Sequence, residues 1–382
     1  MHNQKILFLY LKCGGGHLSC SKTIAEYLST KYKSKVKCVL VDGIEESKFA
    51  QYVMEDGYRI SQDGWSVISE TAYALNCLSG IAKTTMKMFT RLTKSHLKEV
   101  FLREKPDKVI AVHAMLTRPA EIALEELGLD TPVITLVTDP FTVHPLWLTG
   151  KSAHYVVCSD VAKRTASKKI SKKRISQFPY FVNEKYSTKL PEKDVLKLKK
   201  KFGFSIDKKL ILVLGGGEGI PKGKTLMKYI VKHILKQHLN AEIAIVCGRN
   251  KNLEKYCSTL SKKYSGKLNI KVYGFSDSVY ELINMCDIVV TKGGPATIIE
   301  ILLLEKIPII NSYIWGQEKG NVAFVVKNKL GFYQPSNKRI PAMISRLLTN
   351  ESLMNKTLKN IKNIKLQSGT SQIGEFIYNY KK

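Results

Sequence analysis

Four short clusters of glycine and polar residues carry the side chains from which a reactive site could be built. In Gly14-Gly15-Gly16-His17 the glycines let the backbone turn sharply and approach a ligand closely. A histidine opening the next helix would feel the positive end of its dipole, which disfavours imidazolium and keeps a neutral ring available as a base. The alternative is a capping or solvent-facing histidine. The cluster is not the G-x-G-x-x-G dinucleotide fingerprint, because Leu18, Ser19 and Cys20 follow His17. Gly215-Gly216-Gly217-Glu218-Gly219 repeats the arrangement, and free amides with a helix N-terminus behind them suit a diphosphate. A tight structural turn is the competing reading. The spacing to Lys222 and Lys224 is wrong for a Walker A loop.

A third glycine turn is Lys292-Gly293-Gly294-Pro295-Ala296-Thr297. Glu300 lies three residues beyond Thr297, near the same helix face, and its carboxylate could accept two hydrogen bonds from ribose hydroxyls. The fourth cluster, Gly316-Gln317-Glu318-Lys319-Gly320-Asn321, is a dense polar run between an aromatic loop and an apolar helix. Sugar hydroxyls, each both donor and acceptor, give such a run a purpose.

Strand-like segments must position these clusters. KILFLYL, VKCVLVDG, DKVIAVHA, TPVITLVTD and AHYVVCSD are short apolar runs that alternate with amphipathic stretches, the sign of parallel βαβ units. Near-continuous apolar strands mean a sheet covered on both faces. From about 183 to 207 the chain is polar, Lys-rich and interrupted by Pro191, which marks a domain junction. KLILVLGGGEG, AEIAIVCG, LNIKVYGF, CDIVVTKGG and KIPIIN then begin a second series. The expected architecture is α/β, two Rossmann-like domains facing a cleft, with ligands at the carboxyl ends of the strands. The expected bounds are 1–182 and 208–369, with a C-terminal helix of about 370–382 packing back on the first domain.

A length of 382 residues suits two ordinary domains, and 44% hydrophobic residues make the chain globular. Sixty-one Lys and Arg against 32 Asp and Glu give a net charge of +29, which favours polyanions. Base composition of the genome is the alternative source of that excess. The eight cysteines form no C-x-x-C pair, so neither a zinc ribbon nor a redox motif is indicated, and the thiols fit a reducing compartment. The apolar run Ile6 to Leu11 is a strand, not a signal-peptide core, and no stretch approaches the ~20 apolar residues of a membrane span. No RNP motif, zinc finger or helix-turn-helix supports nucleic-acid binding.

GGGH, VTDPFTVHPLW, LGGGEG, CGRN, TKGGPATIIE and GQEKGN occur in the order and spacing of one family. Over about residues 5 to 335 the chain resembles the monogalactosyldiacylglycerol synthases and processive diacylglycerol glucosyltransferases, relatives of the peptidoglycan lipid II transferase. The resemblance implies glycosyltransferase type B architecture and inverting transfer of a hexose from a UDP-sugar to the hydroxyl of 1,2-diacylglycerol. Galactose is favoured and glucose next. No metal and no other cofactor is expected, since the UDP-sugar is a substrate. Sterol as acceptor, or a soluble UDP-sugar epimerase on the same fold, is the alternative.

By the same resemblance His17 is the catalytic base, and Asp139, which stands beside His144 and Trp147, is the second candidate catalytic residue. Gly216, Gly217 and Glu218, with Lys292, Gly293, Gly294, Pro295, Ala296 and Thr297, match the diphosphate cradle. Glu300 matches the ribose carboxylate, and Gln317, Glu318, Lys319 and Asn321 match the positions that read the sugar. Gly248, Arg249 and Phe275 match the uridine side, while Gly16, His144 and Trp147 match the acceptor face, Trp147 being otherwise a core residue. Cys20 and Ser21, and the glycine spacing after Pro295, depart from the family pattern.

The stretch 84–101 places Met86, Phe89, Leu92, Leu97, Val100 and Phe101 roughly on one side, bordered by Lys87, Arg91, Lys94 and Lys98. That suits an interfacial helix on an anionic membrane, or a core-facing helix with a basic outer face. The basic run from Lys163 to Arg174 reads as a solvated face. The expected setting is the cytoplasmic side of a membrane, with peripheral attachment and diacylglycerol in that membrane as partner. No nucleic-acid partner is expected, and the oligomeric state stays open.

Overall fold

The computed structural model describes residues 3–12, 16–44, 71, 74–77, 79–314 and 316–382. Gly14 and Gly15 of the first glycine cluster lie outside the described residues. The chain divides into two compact units: Met1–Glu184 with Trp315–Gly320 and Ser368–Lys382, and Lys185–Ile314 with Asn321–Gln367.

In the first unit six parallel strands form one sheet: β1 (Gln4–Tyr10), β2 (Val36–Asp42), β3 (Lys108–Ala111), β4 (Val133–Leu136), β5 (His154–Val157) and β6 (Ile175–Gln177), ordered β2-β1-β3-β4-β5-β6. Ile6, Leu7, Phe8 and Leu9 on successive positions of β1 are all fully buried. Both faces of that strand are therefore covered, which is why its sequence lacks polar alternation. The order reverses direction between β1 and β3, and such a reversal opens the strand ends to a ligand.

The helix Ser79–Glu104 packs Met86, Phe89, Leu97, Val100 and Phe101 into this unit's core. Of the two readings of this stretch, the apolar side is thus the core face and not a lipid face. Lys94 and Lys98 on its flank pair with Glu126 at 2.6 and 3.2 Å. The helix Thr370–Asn379 docks on the helix Gly16–Tyr32, with the Tyr378 and Tyr32 rings stacked at 3.7 Å.

The second unit also holds six parallel strands: β7 (Lys209–Leu214), β8 (Ala241–Val246), β9 (Ile270–Tyr273), β10 (Ile288–Lys292), β11 (Ile307–Ser312) and β12 (Phe332–Tyr333). Their order, β12-β11-β10-β7-β8-β9, is the doubly wound arrangement of a dinucleotide-binding sheet. Its switch point lies between β7 and β10, the two strands that lead into the second and third glycine clusters.

Residues 315–320, expected within the second domain, group with the first unit instead. Side-chain bonds explain this. Gln317 Nε2 donates to Asp139 Oδ1 at 3.0 Å, and the Gly320 amide donates to Thr142 Oγ1 at 3.0 Å.

Candidate functional site

His17 is the second residue of the helix Gly16–Tyr32, at the β1 side of the switch point. Its Nδ1 lies 2.7 Å from the Val112 carbonyl oxygen, just beyond β3. A carbonyl can only accept, so Nδ1 carries the hydrogen and the Nε2 lone pair is left free. Burial lowers the ring's pKa to about 4 against the opposing effect of the Val112 bond, so the imidazole is neutral at pH 7. Thr138 Oγ1, after β4, stands 3.4 Å from the same nitrogen. His113, which the sequence reading did not single out, meets His17 edge to face with ring centroids 4.5 Å apart. Burial, aided by His17, holds His113 well below the usual histidine range.

Asp139, in the stretch that follows β4, is buried. Its Oδ2 accepts from Trp147 Nε1 at 2.6 Å, and its Oδ1 accepts from Gln317. Burial raises its pKa to about 6, opposed by the Trp147 and Gln317 bonds and reinforced by the charge of Glu318. Trp147 is only 1% exposed and packs in the core, 6.4 Å from both histidine rings. His144 is also buried, and its Nδ1 accepts from the Leu146 amide at 3.2 Å. His144 and Trp147, expected on the acceptor face, are thus both buried. Gly16 is exposed, with open space around its Cα. Among the residues grouped with this unit, Glu318 is buried and Lys319 exposed.

In the second unit Gly216 (φ 77°), Gly219 (φ 78°) and Gly248 (φ 60°) adopt backbone conformations that favour glycine. A Cβ on Gly248 would sit 2.3 Å from the Gly217 carbonyl oxygen, so no side chain fits between these two turns. The Arg249 amide donates to Gly217 O at 2.8 Å, which joins the turn after β8 to the turn after β7. The Arg249 guanidinium lies 4.7 Å from the centre of the Phe275 ring and 3.3 Å from Glu218. Phe275 is 61% exposed.

After β10, the side chain of Lys292 points toward Gly216. Pro295 then starts the helix Pro295–Leu303 behind Gly293 and Gly294. Proline at the first helical position leaves the Ala296 and Thr297 amides as first-turn donors without an intrahelical partner. Asn321 Nδ2 holds the turn by donating to Gly293 O at 2.8 Å. Glu300 is half-buried on the same helix. Burial raises its pKa to about 7, with the Lys185 charge opposing. The sequence reading missed Thr138, Thr142 and Lys185 as well as His113. His113 and Thr138 did carry a signal, at the ends of the apolar runs DKVIAVHA and TPVITLVTD, where ligands collect in such sheets.

Two doubly wound parallel sheets, the second with glycine turns at its strand ends, make the fold of type B glycosyltransferases. Solved structures agree. Acinetobacter baumannii MurG superposes with a TM-score of 0.62 at 11% identity, covering 99% of this chain and 100% of that one. The S. aureus MnaA–UDP structure gives 0.62 at 13% identity, covering 98% and 95%. Residues 17–179 match the monogalactosyldiacylglycerol (MGDG) synthase family model, and residues 210–373 match the glycosyltransferase family 28 C-terminal domain. Monogalactosyldiacylglycerol synthase 3, chloroplastic, of Arabidopsis thaliana is 28% identical over 355 residues, 90% of this chain and 74% of the relative. Synthase 2 of the same plant is 25% identical over 359 residues, 91% and 75% of the two chains. The chain thus carries an MGDG synthase family domain followed by a glycosyltransferase family 28 C-terminal domain, and it is a hexosyltransferase.

Proposed function

We propose that the protein transfers a hexose, galactose before glucose, from a UDP-sugar to the free hydroxyl of 1,2-diacylglycerol. The observation that carries this reading is the neutral His17 ring, whose Nδ1–H is spent on Val112 and whose Nε2 lone pair is free. The lipid hydroxyl gives its proton to Nε2 while its oxygen bonds to the anomeric carbon. The bond from that carbon to the β-phosphate oxygen breaks, its electron pair leaves with UDP, and the configuration inverts. The Gly216 and Gly217 turn and the first-turn amides of Ala296 and Thr297 receive the diphosphate. There the helix dipole stabilises the departing charge without a metal ion. Glu300 holds the ribose, and the Arg249–Phe275 pair receives the uracil ring. Gln317, Glu318, Lys319 and Asn321 read the sugar.

The relatives are named as MGDG synthases, which supports galactose and diacylglycerol. No helix among the described residues is long and apolar enough to cross a membrane, and the lipid acceptor calls for peripheral attachment, on the cytoplasmic side. A chelator-treated enzyme should be incubated with UDP-galactose and with UDP-glucose on anionic vesicles containing diacylglycerol, followed by lipid mass analysis. Monogalactosyl diacylglycerol is the expected product. His17→Ala should cut transfer ~10²–10⁴-fold while UDP still binds. A free epimerised sugar nucleotide with unmodified lipid, or activity restored only by a divalent ion, contradicts the reading.

A further inference from the structure

We infer that His113 makes a second contact to the acceptor hydroxyl, donating from its Nε2 to the oxygen whose proton His17 removes. Main-chain groups with a single possible role fix both ring tautomers. The Val112 carbonyl only accepts, so His17 bears hydrogen on Nδ1 and a lone pair on Nε2. The Met115 amide only donates, and it lies 3.2 Å from His113 Nδ1. That nitrogen therefore holds the lone pair, and Nε2 of His113 carries the hydrogen. The two rings are complementary, one presenting an acceptor and the other a donor.

The two rings are also direct neighbours. The rings meet edge to face at 73°, with centroids 4.5 Å apart, and both are half-buried. Among the described residues neither Nε2 has a hydrogen-bond partner. A single alcohol can satisfy both nitrogens. Its proton goes to His17 Nε2, one oxygen lone pair accepts from His113, and the other attacks the anomeric carbon. As the proton leaves, negative charge grows on that oxygen, and a fixed donor stabilises it. Burial keeps both rings neutral, so His113 keeps the hydrogen it donates. This inference rests on the reading of His17 as base toward a lipid hydroxyl.

Two amide side chains separate the contact from a packing role. Glutamine places its amide nitrogen near the position of Nε2 and retains the donor. Asparagine places its amide near Nδ1, retains an acceptor for the Met115 amide, and loses the distal donor. His113→Gln should stay within about threefold of wild-type transfer. His113→Asn should lose about tenfold to a hundredfold in kcat, with unchanged melting temperature and KM for the sugar nucleotide. A purely structural His113 gives the reverse order, and that order, or equal activities of the two variants, overturns the inference. Nitrogen-15 spectra of the wild-type ring provide a readout independent of turnover. An Nδ1–H tautomer at His113 also overturns it. If wild-type enzyme transfers no sugar while the spectra show the expected tautomers, the functional reading fails and the donor assignment stands.

Discussion

The ribose contact proposed for Glu300 sets two demands that pull against each other. A ribose clamp needs an ionised carboxylate, yet burial raises this group's pKa to about 7 against the charge of Lys185. Without ligand it is about half protonated near neutrality, and a protonated acid loses acceptor capacity toward two sugar hydroxyls. UDP affinity should therefore fall as pH drops below about 7, approaching tenfold per unit well below it. Glu300→Gln should bind more weakly and lose this part of the pH dependence. Calorimetry from pH 6 to 8 on both proteins separates the effect from the nucleotide's own phosphate titration. Parallel pH curves for the two would remove Glu300 from ribose binding. The placement of Glu300 was legible in the sequence, because a glycine turn, a proline and a carboxylate sit at fixed spacing on one helix. The His113 contact was not, because it depends on how β1 and β3 bring two remote strand ends together.

At the scale of elements, the strands were the most readable parts, because a strand buried on both faces writes an uninterrupted apolar run. The helix Ser79–Glu104 was harder. Periodicity shows that Met86, Phe89, Leu97, Val100 and Phe101 share a side, but the same pattern serves a lipid surface or a core. The sheet it covers decided the matter, and Leu92 alone of the named apolar set remains exposed, at 38%. The 315–320 segment was equally opaque, since its attachment rests on two bonds to residues some 178 positions away. Gly320 is the point at which to test that attachment. A Cβ there would come within 2.3 Å of Thr142 Oγ1 and 2.5 Å of the Phe141 carbonyl oxygen. Gly320→Ala should push the segment off the Asp139 strand end and lower kcat/KM for the sugar nucleotide about tenfold, with little change in melting temperature. Wild-type kinetics would show that docking of 316–320 on this unit is dispensable.

For the whole molecule the dominant compositional feature is the +29 charge. Much of it is solvated: Lys163, Arg164, Lys168, Lys169, Lys172 and Lys173 are all exposed. On the outer face of the Ser79–Glu104 helix, Lys87 and Arg91 lie exposed beside Met88 and Leu92. If the enzyme works on an anionic surface, the double variant Lys87→Gln, Arg91→Gln should lose about 1 kcal/mol of vesicle affinity per charge, roughly tenfold to thirtyfold together. Sedimentation with vesicles of graded anionic content measures this, and binding indifferent to salt and lipid charge would locate the contact elsewhere.

Lys108 gives the fold an order in time. This ammonium is buried at the start of β3 and donates to the Ile377 and Tyr378 carbonyls at 2.8 and 2.5 Å, at the end of the last helix. Burial lowers its pKa to about 8. During synthesis, all six strands of the first sheet have been made by residue 177, roughly 200 residues before those carbonyls exist. At ~5–20 residues per second the ribosome needs on the order of 10–40 s to supply them. Through that interval the N-terminal unit carries a cation whose main-chain partners have not yet been synthesised. The half of the protein that is made first is therefore the half that is finished last.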